Sequence, residues 1–86
     1  MKLTVKDLQQ LMQYCRNVAE VDPNDQIANA ASSLAYRLES AGTSVFDMSM
    51  DFATWSPLDQ ATARYAISKR EKYVLTPGAK HAIVVE

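Results

Sequence analysis

The 86 residues predict a mainly helical α+β fold: an N-terminal helical hairpin followed by a β-α-β-like C-terminal half, in the order α-α-β-α-β. Three observations carry that reading. Apolar residues recur at helical spacing over residues 5–20 and 22–41, the period drops to two over residues 45–52, and proline or glycine marks the breaks. If the shorter segments are not strands, the alternative is an all-α three-helix domain.

The first helix, 5–20, places Val5, Leu8, Leu11, Met12, Cys15, Val18 and Ala19 on one stripe. Lys6, Gln9, Gln10, Gln13, Arg16, Asn17 and Glu20 form its polar face, and Thr4 with Asp7 approximates a capping box. A second helix is expected over 22–41, with Asp22 as cap and Pro23 in the first turn. Its core face is Ile27, Ala30, Ala31, Leu34, Leu38 and Ala41, and Gly42 ends it. The short link makes the two helices an antiparallel hairpin.

Residues 45–52 alternate Phe46, Met48, Met50 and Phe52 with Asp47, Ser49 and Asp51, the period of a strand buried on one face. Met and Asp do not favour strands, so propensity opposes pattern there. Ser56-Pro57-Leu58-Asp59 starts a third helix that turns Leu58, Ala61, Thr62, Tyr65 and Ala66 to the core and reaches Tyr73 or Val74. Thr76-Pro77-Gly78 stops it, and the β-branched run 81–85 ends the chain as a strand. The two strands would then pair in parallel across a right-handed crossover.

Composition excludes more than it selects. Of the 41 apolar residues 12 are alanine, so the core of this single small domain is thin and a homodimer would be a natural supplement. Cys15 and His81 are the sole residues of their types, which removes intramolecular disulfides, thiolate zinc sites and multi-histidine metal centres, and leaves the standard nucleophile triads open only through His81 itself. Two glycines cannot build a phosphate loop. The longest apolar run, Ala82 to Val85, is far below the roughly 20 residues of a membrane span. No signal-peptide core follows Met1-Lys2, so a cytoplasmic, reducing location is expected. No catalytic set, metal site or cofactor is expected.

Two surfaces remain as candidates. The stripe Phe46, Met48, Met50, Phe52 and Trp55 suits a protein interface, on a partner or on a second copy of the chain, unless it fills the core; Trp55 also stands where a hydrophobic staple would. The formal charge of −1 divides unevenly, −3 over residues 1–55 and +2 over 56–86. Arg64, Lys69, Arg70, Lys72 and Lys80, with Tyr65 and Tyr73 nearby, are therefore candidates for phosphate contact. Basic residues also complement a helix C-terminus, and an acidic chain lacks the excess of a nucleic-acid binder.

Asp47 and Asp51, about 13 Å apart on a strand, read as a solvated face. Cys15 reads as a buried thiol, His81 as a surface histidine, and Tyr14 and Tyr36 stand off their helices' stripes. The expectation is a non-enzymatic protein-binding module, a regulator or inhibitor of the kind phages and mobile elements carry. Nucleic-acid binding through the basic residues is the alternative.

Overall fold

A computed structural model describes residues 2–41 and 51–85. Its elements are α1 (Val5–Val21), α2 (Asp25–Ala41), a 3-10 turn (Phe52–Thr54), α3 (Pro57–Ser68), β1 (Tyr73–Val74) and β2 (Ile83–Val84). The fold is mainly helical α+β, with the order of its last elements corrected.

α1 begins at the predicted capping box. The Asp7 N–H donates to Thr4 Oγ1 at 3.1 Å, and the Thr4 N–H donates to Asp7 Oδ2 at 2.9 Å. Asp22 and Pro23 do not start α2. The Asp22 N–H closes α1 onto the Val18 carbonyl at 3.0 Å, and its carboxylate accepts the Asn24 N–H at 2.9 Å. With Asp22 so engaged, Asn24 caps α2 by accepting from the N–H groups of Gln26 and Ile27 at 3.0 and 3.3 Å.

The core is built from Leu8, Leu11, Cys15 and Val18 of α1, Ala31, Leu34, Ala35 and Leu38 of α2, and Ala63 and Ala66 of α3. α3 is rotated from its expected face, because Leu58 is 66% exposed and Ala61 is also exposed. Asp59, Thr62, Ala63 and Ala66 form the buried stripe instead. Arg37 of α2 explains the rotation: its guanidinium donates to both Asp59 oxygens at 2.7 and 2.6 Å and draws that face inward. Two alanines on this stripe bring α3 close to its neighbours.

The predicted strand 45–52 lies outside the described residues except at its end. Phe52 opens a 3-10 turn, and Asp51 caps it by accepting the Ala53 N–H at 3.1 Å. Asp51 also forms an isolated antiparallel bridge with Lys2. α3 stops at Ser68, short of Tyr73, and the chain leaves it through turns in which the Arg70 N–H reaches Ile67 O at 3.2 Å. The Ser68 hydroxyl donates to Tyr65 O at 2.6 Å and the Arg70 guanidinium to Ile67 O at 2.8 Å. The expected parallel crossover is replaced by an antiparallel hairpin in which Tyr73 faces Val84 and Val74 faces Ile83. Gly78, at φ +81°, supplies the left-handed residue of the connecting loop.

A two-residue ladder is marginal alone, and the polar side of α1 reinforces it. Asn17, expected on a solvated face, is buried and donates to the Tyr73 carbonyl at 3.2 Å. Glu20 accepts the Ala82 N–H at 2.6 Å.

Candidate protein-binding groove

A groove of about 470 Å³ runs between the start of α1 and the end of α3. Leu3, Leu11, Phe52 and Ile67 make it apolar, with Tyr14 and Gln10 on the α1 side. Its charged residues are Asp7 at the α1 rim and Arg64 and Arg70 at the α3 rim. These side chains converge because α3 packs against α1, with Ala63 and Ala66 buried in the shared core.

Arg64 stands over Phe52, its guanidinium carbon 5.6 Å from the ring centroid. The ring is itself fixed by Trp55, with centroids 5.0 Å apart. Arg70 spends one N–H on the Ile67 carbonyl. Among the described residues neither arginine forms an ion pair with a carboxylate, whereas Arg16 is paired with Glu39 at 2.6 Å and Arg37 with Asp59.

The two predicted surfaces are divided by the fold. Phe46, Met48 and Met50 lie outside the described residues. Phe52 and Trp55 are buried and belong to the core rather than to an exposed interface stripe. Of the five cationic candidates, only Arg64 and Arg70 line the groove. Lys69 sits over the rings of Tyr65 and Tyr73, at 5.5 and 5.9 Å, while Lys72 precedes β1 and Lys80 lies in the hairpin loop. Tyr14 was distinguishable in sequence as an aromatic off the α1 stripe. Ile67 carried a similar signal, an isoleucine outside the expected α3 core face, and it is 40% exposed.

A second polar cluster forms on the other side of α3. Asp22 accepts hydrogen bonds from the hydroxyls of Tyr65 and, at 3.0 Å, Tyr73. Burial alone would raise the Asp22 carboxyl. The two hydroxyls, the Asn24 N–H and the nearby Lys69 ammonium outweigh it and hold the group below the ordinary carboxylate value. The same contact with Asp22, followed by burial, pushes the Tyr65 phenol up, and burial followed by the Asp22 bond does so for Tyr73. All the groups in this cluster are satisfied by one another, which is the chemistry of a structural tie.

Cys15 is fully buried, and burial, with the Asp59 charge a lesser cause, raises its thiol to about 12. His81 is exposed, its Nδ1 3.7 Å from Glu20 Oε1. Among the described residues no cluster of three or more His, Cys, Asp or Glu could hold a metal ion, and no helix is long and apolar enough to cross a membrane. No family model matches the chain, and no curated protein or solved structure shows significant similarity to it.

Proposed function

We propose that the chain is a non-enzymatic protein-binding module, a regulator or inhibitor of a larger protein, and that the α1/α3 groove is its contact surface. The observation that carries this reading is the pairing of an apolar groove with two arginines that have no carboxylate partner among the described residues. Apolar surface supplies affinity, and arginine is enriched where interfaces are most strongly held. The buried, inert Cys15 fits a reducing cytoplasmic setting.

Two other grooves among the described residues support the choice. The one between α1 and α2 is spanned by the Arg16–Glu39 ion pair, and its remaining charged residue, Glu20, accepts the Ala82 N–H. The one between α2 and α3, lined by Ile27, Leu58 and Tyr65, carries no charged side chain. Phosphate contact by the five basic residues together is disfavoured, because Lys69 is engaged with two tyrosines and Asp7 shares the groove with Arg64 and Arg70.

The test is affinity capture from nuclease-treated lysate of the source cells, on immobilised wild type and on Ile67→Glu. A protein held stoichiometrically by wild type and lost from the folded variant supports the reading. A protein kept equally by both, or binding that disappears with nuclease, overturns it.

A further inference from the structure

The partner class follows from the groove's charge layout, given the reading that the groove is the contact surface. We infer that it takes a short amphipathic helix of another protein, with apolar side chains inserted and carboxylates along one flank only. A volume of about 470 Å³ lies in the range of roughly 300–1,000 Å³ typical of ligand sites, enough for a few apolar side chains between Leu3, Leu11, Phe52 and Ile67. Such a groove between two helices suits the helix-in-groove mode of recognition.

The two arginines define the flank. Arg64 is held over the Phe52 ring, so its planar fork is pre-organised to receive a carboxylate at its edge. Arg70 is anchored through Ile67 O and keeps N–H donors to spare. Arg64 lies within α3 and Arg70 two residues beyond its end, and both line the groove. Carboxylates along one flank of a partner helix meet both.

On the opposite rim Asp7 repels a second acidic row, and one of its oxygens is already bound to the Thr4 N–H. An acidic face on both sides is thereby excluded. A phosphate backbone, charged along its whole length, would meet the same obstacle.

The probes are two fluorescein-labelled synthetic helices of about four turns, each with leucines at three- and four-residue spacing. One carries glutamates along a single flank, the other lysines in the same places. Each is titrated by fluorescence anisotropy against wild type and Arg64→Glu/Arg70→Glu, whose folding is checked by circular dichroism. Arg64→Gln/Arg70→Gln replaces the reversed variant if that one fails to fold.

The glutamate helix is expected to bind wild type and to weaken at least roughly tenfold on the double variant. The lysine helix should prefer the charge-reversed protein. Equal binding of both helices, or no binding of the glutamate helix to wild type, overturns the acidic-helix proposal. If it fails while lysate capture still depends on Ile67, the groove remains the contact surface and only the partner class is wrong. Capture that is indifferent to Ile67→Glu overturns the groove itself.

Discussion

Asp22 is the residue on which most of the architecture turns. It ends α1, accepts the Asn24 N–H that shapes the link to α2, and receives hydroxyls from Tyr65 of α3 and Tyr73 of β1. Asp22→Asn keeps the shape and removes the charge. It should cost about 1.5–3 kcal/mol, the scale of hydrogen bonds to a charged group, in urea unfolding at neutral pH. The folded-state pKa of Asp22 is depressed from 3.8, so its contribution is complete above that value and disappears as pH falls through the folded one. Asp59, lowered first by its bonds to Arg37, has the same sign. Wild type should therefore lose stability below pH 3.8, and the gap between wild type and Asp22→Asn should narrow there. At the alkaline end the Tyr65 phenol is raised above 10.0, so stability is retained below that pH and falls above it. Cys15 makes a simpler prediction at this scale. A fully buried thiol raised to about 12 should resist a disulfide reagent at neutral pH in native protein and react at once in urea.

Elements differ in what holds them. α2 is held by apolar packing, with Leu34 fully buried at its centre. Leu34→Ala should cost about 2–5 kcal/mol of global stability, read as a lower urea midpoint with unchanged slope. The hairpin depends instead on polar side chains of α1. Asn17→Ala leaves the Tyr73 carbonyl without its side-chain donor, at about 1–3 kcal/mol. Amide exchange should then accelerate in β1 and β2 while the middle of α2 stays protected. The starts of α1 and α3 were legible in the sequence, because Thr4 and Ser56 satisfy backbone N–H groups within their own first turns, whereas Asp22 is drawn to α3 and β1 and leaves the cap of α2 to Asn24. Element ends and faces were less so. α3 gives way at Ser68 to turns whose backbone N–H groups reach its last carbonyls, and its inward face follows an ion pair with Arg37 of α2, 22 residues away. Neither follows from apolar period, and the β-branched run near the C-terminus did not reveal that its partner strand would be Tyr73–Val74.

At the scale of the whole molecule, the mainly helical α+β class follows from the periods in the sequence, whereas the candidate site does not. Arg64 and Arg70 were visible as cations, but their setting depends on how α3 lies against α1, which local pattern leaves open. The stripe that pattern favoured sends Phe52 and Trp55 into the core, as a chain with few large apolar side chains requires. Phe52 still shapes the groove, because Arg64 rests on its ring. Placing a photo-crosslinking residue at Gln10, on the groove, and in a separate protein at Ser32, in the α1/α2 groove, tests the central claim most directly in the source cells. The account predicts one discrete protein adduct from Gln10 and none from Ser32. An adduct from Ser32 with none from Gln10 would contradict it.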